Sequence, residues 1–138
     1  MKSLKQTVVV TIFAALACTA LHAQSVRLYA TIPFDFRAGD KLMPAGEYAI
    51  QEQGSITFLR AADGKSNLAL FTHGVESRHP SRAARLDFNQ YGNEYFLTTI
   101  WDSYSQDGRE IPATSRQKEL AKQGNVPVLA VIAMVRSK

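Results

Sequence analysis

From Val26 to Arg37 apolar and polar residues alternate almost without a break: Val26, Leu28, Ala30, Ile32, Phe34 and Phe36 against Arg27, Tyr29, Thr31, Pro33, Asp35 and Arg37. Successive side chains of a strand point to opposite sides, so a period of two marks a strand with one buried face. A chain that begins this way must find a second apolar layer to cover that face. Pro33 has no N–H to donate to a ladder, which places the strand at a sheet edge or bends it there.

Similar short runs recur at regular spacing. Residues 38–41 and 43–46 read as turns, and a strand restarts over 47–51. Residues 55–60 and 66–72 flank Asp63-Gly64, a strong hairpin signal. Residues 74–83 hold Pro80, several charges and little apolar period, and read as a loop. Residues 84–90 and 94–102 form a second hairpin through Tyr91-Gly92-Asn93, with Leu86 and Phe88 on one face. Residues 105–108 read as another turn. Thr114-Ser115-Arg116-Gln117 has the form of a capping box, opening a short helix that stops at Gly124 with Pro127 just beyond. Residues 128–135 are a continuous apolar run of strand length, expected as a buried strand that closes the sheet. The sum is a mainly β fold: an antiparallel β-sandwich or a small, partly open barrel, with one short helix near the C-terminus.

Composition matters chiefly at the N-terminus. Lys2 and Lys5 precede an apolar stretch over residues 7–21, too short for a comfortable membrane span, and a small residue, Ala23, stands before Gln24. Residues 1–23 therefore read as an export signal and 24–138 as a single exported domain, periplasmic or secreted, with no transmembrane span. Ala15-Leu16-Ala17-Cys18 offers a degenerate lipobox as the alternative, anchoring a lipoprotein at Cys18. Cys18 is the chain's one cysteine, so cleavage after Ala23 leaves a domain without disulfides or thiolate chemistry. Loss of Lys2 and Lys5 also lowers the formal charge from +4 to +2, and nothing in that balance calls for nucleic acid.

Ile32-Pro33-Phe34-Asp35-Phe36, Gly39, Pro44-Ala45-Gly46-Glu47-Tyr48, Tyr91-Gly92, Tyr95-Phe96-Leu97, Ile100-Trp101, Gly108 and Glu119-Leu120-Ala121 run along nearly all of the exported part. With these residues the chain resembles an uncharacterised family of small exported bacterial β-rich proteins. The resemblance implies a secreted or periplasmic β-domain and carries over no activity and no functional residue.

Few residues are arranged for chemistry. His73, Glu76 and His79 have a spacing that invites a metal, but on a strand the fourth position points away from the first and seventh, and neither the His-Glu-x-x-His nor the inverted zinc pattern is matched. Ser77 and Ser81 lack a nucleophile elbow. Asp35 with Glu47, or Asp102 with Glu110, are carboxylate pairs as common in turns as in active sites. No cofactor motif occurs. The dense feature is aromatic: Tyr91, Tyr95, Phe96, Trp101 and Tyr104 crowd one hairpin and its exit. Strict alternation puts Phe96, Thr98 and Ile100 on one face and Tyr95, Leu97, Thr99 and Trp101 on the other.

These features lead to an expected non-catalytic exported β-domain, binding or structural in the cell envelope or outside it. The alternative is a glycan-binding module with Tyr95, Trp101, Asp102, Tyr104 and Arg109 as its ligand-binding residues and a polysaccharide or envelope component as its partner. A small hydrolase built on the scattered Ser, His and carboxylate groups is the third reading.

Overall fold

The computed structural model describes residues 27–136; the expected leader, its expected cleavage point and Cys18 lie outside them. Twelve strands and one helix follow in the order β1 (Leu28–Ile32), β2 (Phe36–Ala38), β3 (Lys41–Met43), β4 (Gly46–Gln53), β5 (Ile56–Ala61), β6 (Asn67–Phe71), β7 (His73–Ser81), β8 (Arg85–Tyr91), β9 (Glu94–Trp101), β10 (Ser105–Glu110), α1 (Ser115–Lys122), β11 (Val128–Ala133) and β12 (Val135–Arg136). They form two sheets and no closed barrel. The first sheet has the order β12-β1-β4-β5-β6; the second has β11-β8-β9-β10-β7, with β2 joined in parallel to β9 and β3 paired to β2. This is the sandwich of the two architectures the sequence allows.

The core lies between the sheets. Leu28, Ala30 and Ile32 of β1, Tyr48 and Ile50 of β4 and Leu59 of β5 face Leu86 and Phe88 of β8 and Leu97 and Ile100 of β9, and all are buried. Phe88 meets Phe34 and Phe36 edge-on, at ring centroid distances of 5.1 and 5.5 Å, the geometry that ring quadrupoles favour. The alternating run does bend at Pro33: residues 33–35 leave the ladder, and the chain crosses from β1 in the first sheet to β2 in the second. Asp35 Oδ1 accepts from the Ala45 N–H at 2.8 Å, so that carboxylate braces a turn. At Asp63-Gly64 the reversal has the expected chemistry, with Gly64 at φ 73°, where a side chain would be strained, and Lys65 N–H bonded to Asp63 Oδ1 at 2.8 Å.

Four expectations need correction. Residues 74–83 are not a loop; most of them belong to β7, which pairs with β10 and forms one edge of the second sheet. Its charges and Pro80 suit an edge strand, where one side of the ladder is free. Residues 105–108 are likewise strand, because β10 lies between β7 and β9. Residues 128–135 are strand but not a buried closing one: β11 is the other edge of the second sheet, and Val128, Leu129, Val131 and Val135 are exposed. Apolar content alone does not report whether a neighbouring strand exists.

The fourth correction concerns the aromatic strand. Between the pairs Asp87↔Thr99 and Phe88↔Leu97, β9 holds one extra residue, Thr98, whose hydroxyl donates to the Asp87 carbonyl at 3.0 Å. A bulge of this kind shifts the alternation by one position. Leu97 and Ile100, an odd number of residues apart, both reach the core. Tyr95 consequently faces inward and Trp101 outward.

Helix α1 covers the far end of the second sheet's outer face. Thr114 accepts at its hydroxyl from the Gln117 N–H at 3.2 Å, the expected cap, and Leu120 packs with Tyr91 and Phe96 in a separate small cluster. Arg116 bonds Glu94 at 3.1 Å and Arg37 approaches the same carboxylate at 3.8 Å, tying helix, hairpin turn and β2 together. Among the described residues no helix is long and apolar enough to cross a membrane.

Candidate functional site

The five residues singled out from the sequence divide into three settings. Tyr95 is structural: its ring stacks on Phe34 at 3.7 Å between centroids, and it packs against the core. Trp101 is held on the outer face. Its indole N–H donates to Asp87 Oδ2 at 2.8 Å, the Arg85 guanidinium lies 5.5 Å from its ring centroid, and Arg85 Nε donates to Asp87 Oδ1 at 3.0 Å. Arg85 also donates to Ser81 Oγ at 3.1 Å. The flat side of the indole lies on Gly108, where a Cβ would come within 2.6 Å of the ring. Glycine there is a steric requirement of the tryptophan.

Asp102 and Arg109 belong together, and Tyr104 lies on the turn that follows Asp102. Asp102 and Arg109 line a cleft of about 580 Å³ with Glu52, Gly74, Val75, Glu76, Ser105, Asp107 and Gly108. It opens where the end of β4 in the first sheet meets β7 and β10 of the second. The register places Arg109 opposite the core residue Ile100 and Gly108 opposite Trp101, so Arg109 reaches inward across the sandwich while Trp101 stays outside. Arg109 Nε lies 3.6 Å from Glu52 Oε2, and Arg136 of β12 lies 3.6 Å from Asp102 Oδ1. Burial raises the Glu52 carboxyl above the ordinary 4.5; Arg109 opposes the shift and Asp102 adds to it. Asp102 and Asp107 also organise the entrance, through bonds to the Ser103 N–H at 2.7 Å and from the Ser105 hydroxyl at 3.1 Å.

Tyr104 stands between two lining residues. The residue is 85% exposed, and it is the one non-glycine among the described residues with positive φ, at 55°. Its N–H donates to the Ser81 carbonyl at 2.7 Å, which pins the turn in that conformation. A bulky residue in the left-handed region carries a cost that the surrounding contacts must hold in place.

Of the residues singled out from the sequence, Asp102 and Arg109 line this cleft; Glu76, which also lines it, was considered only for a metal, and Glu52 and Asp107 were not singled out as a site. Glu52 continues the inward alternation of Tyr48 and Ile50 past the end of the core, a legible signal; Glu76 and Asp107 were lost with the two strands read as loop and turn. His73, Glu76 and His79 share β7, and among the described residues no three His, Cys, Asp or Glu side chains are grouped to hold a metal ion. Ser81 Oγ donates to the Ala83 carbonyl at 2.6 Å, and Ser77 Oγ accepts from the His79 backbone N–H at 3.3 Å, both local turn-like bonds.

The class defined by this geometry is a two-sheet antiparallel β-sandwich with a polar cleft at one edge. Comparison with protein-family models, with curated proteins and with solved structures returns no match.

Proposed function

We propose that this chain is a non-catalytic exported domain that binds a neutral, hydroxyl-rich ligand, a glycan, in the cleft between β4, β7 and β10. The observation that carries the reading is Tyr104, an exposed ring on a strained residue held between Asp102 and Ser105 of the cleft wall. Sugar rings present apolar C–H faces that stack on an aromatic ring, and convergent polar groups orient their hydroxyls. Here Glu52, Glu76, Asp102 and Asp107 offer acceptors and Arg109 offers donors. Four carboxylates against one lining guanidinium disfavour an anionic ligand. Tyr95 and Trp101 leave the reading as contact residues, since one is stacked in the core and the other is bonded to Asp87 on the opposite face.

The expected export signal over residues 1–23 and the resemblance to small exported bacterial domains support a ligand in the envelope or outside the cell. N-terminal sequencing of the exported protein should begin at Gln24; a lipidated Cys18 would make it an anchored lipoprotein, and an intact leader would overturn export. For binding, the test is retention on a panel of insoluble polysaccharides. The wild-type protein should be retained and Tyr104→Ala should pass through, with unchanged thermal stability. Absence of retention on every polysaccharide, or full retention of Tyr104→Ala, overturns the glycan reading.

A further inference from the structure

The polar groups of the cleft are not equivalent. Asp102 already accepts from the Ser103 N–H at 2.7 Å and lies 3.6 Å from Arg136, and Asp107 accepts from the Ser105 hydroxyl at 3.1 Å. Glu76 is in register with Asp107 across the ladder of β7 and β10, acceptor against acceptor. Of the four lining carboxylates, Glu52 is the one with a lining cation beside it: Arg109 Nε stands 3.6 Å from Glu52 Oε2, and each side chain keeps about a third of its surface exposed. The carboxylate comes from β4 of the first sheet and the guanidinium from β10 of the second, so the pair bridges the sheets inside the cleft. Opposite Arg109 in the ladder is Gly74, where a Cβ would meet nothing within 4 Å except Arg109 Nη1, at 3.8 Å. No positive φ requires this glycine. Its missing side chain leaves the terminal nitrogens of the guanidinium open to the cleft.

From this arrangement, and resting on the glycan reading above, we infer that the cleft selects sugars with two free hydroxyls on adjacent ring carbons, one donating to Glu52 and its neighbour accepting from Arg109. A carboxylate can only accept and a guanidinium can only donate, whereas a hydroxyl does both. Two adjacent hydroxyls therefore serve the pair together: the first O–H points to the carboxylate, and the second oxygen takes an N–H from the guanidinium. Both bonds have a charged partner, the stronger kind, and each polarises the other through the sugar. A lone hydroxyl serves one charge and leaves the other covered by the ligand without a partner, a desolvation cost that offsets the bond made. Selectivity thus follows from the side-by-side placement of an acceptor and a donor, which neither Asp102 nor Asp107 offers, since each is already bonded within its own turn.

The test uses insoluble polysaccharides matched by sugar and differing in linkage. Cellulose and the xylan linked through the fourth ring carbon keep adjacent free hydroxyls on every internal ring; curdlan and the xylan linked through the third keep none. The exported protein should be retained by at least one of the first two, and by its isomer at least about tenfold more weakly, the ratio expected for one bond to a charged group. Two variants separate a binding pair from one that only ties the sheets together. Arg109→Lys keeps a cation opposite Glu52 but loses the fork of donors, and retention should fall about tenfold, whereas a purely structural pair would leave it unchanged. Gly74→Val adds a side chain that suits a strand and covers the guanidinium; retention should be lost while melting and circular dichroism stay those of the wild type, and Arg109→Lys decides should this variant fail to fold. Equal or stronger retention by curdlan or its xylan counterpart, removed by Tyr104→Ala, overturns this selectivity and leaves the glycan reading standing. Wild-type retention of either folded variant also overturns it. A protein retained by none of the four overturns it as well, and with it the glycan reading if the wider polysaccharide panel also fails.

Discussion

Asp87 shows how much one side chain organises. It is buried on the outer side of the second sheet, accepts from Arg85 and Trp101, and fixes the tryptophan edge so that its face lies on Gly108. Trp101→Phe keeps most of the ring contact but removes the donor to Asp87 Oδ2, leaving an acceptor in a water-poor position. The expected loss is about 1–3 kcal/mol in urea unfolding, and a change within error would mean that water replaces the indole. Glu52 acts in the opposite sense. Its carboxyl titrates above 4.5 in the folded chain, so between 4.5 and that raised value the folded state binds more protons than the unfolded state. Stability contributed by the protonated form is therefore present at low pH and is lost as pH rises through that interval, with a plateau above it. The side chain keeps partial contact with solvent, so the slope is shallow. Unfolding midpoints of Glu52→Gln measured across the same interval should lack this component, and identical profiles would show that Glu52 has an ordinary pKa.

At the level of elements, α1 is short and depends on its ends. Thr114 satisfies one of the free N–H groups at its start, and Gly124, at φ 82°, ends it with a bond to the Ala121 carbonyl. Thr114→Ala should cost about 1 kcal/mol. Part of the loss should appear as faster amide exchange confined to α1 and the Tyr91–Phe96 contact beneath it. Exchange rising evenly across both sheets would show that the helix is not a separable unit. Strands β9 and β10 are joined just as specifically. Gly108→Ala drives a methyl into the Trp101 ring, and overpacking of this kind costs about 1–3 kcal/mol. The ring cannot give way without breaking its bond to Asp87, so a quenched or shifted tryptophan fluorescence should accompany the loss. Unaltered stability and emission would show that the backbone relaxes instead.

The whole molecule is governed by the space between its sheets. Phe88, fully buried, contacts Phe34 in the crossing segment and Phe36 on β2, linking the hairpin of the second sheet to the chain that arrives from the first. Phe88→Ala should cost about 3–5 kcal/mol, a large part of the 5–15 kcal/mol that typically separates folded from unfolded domains. Because both sheets share this core, near-ultraviolet and far-ultraviolet signals should be lost in one coincident thermal transition. Two separate transitions would mean that the sheets fold independently.

The strands, hairpins and helix were legible where the signal is local. Alternation from Val26, the Asp63-Gly64 reversal and the Thr114 cap depend on side-chain direction, on φ preference and on a hydroxyl three residues from an N–H, all contained within a few positions. Asp102, Tyr104 and Arg109 were legible as polar and aromatic residues near one turn. Local pattern did not determine which strands have neighbours. The charges of β7 read as loop because an edge strand and a loop are both solvated, and the apolar β11 read as buried because hydrophobicity records preference and not contact. Nor could strict alternation foresee the bulge at Thr98, which depends on the pairing of β9 with β8 and turns Tyr95 and Trp101 to opposite faces. Sequence alone determined a two-layer β fold with a C-terminal helix. Only the tertiary structure decided which rings fill the core, which edge is bare and where the carboxylates of three strands converge, because each of these rests on pairing between residues far apart in the chain.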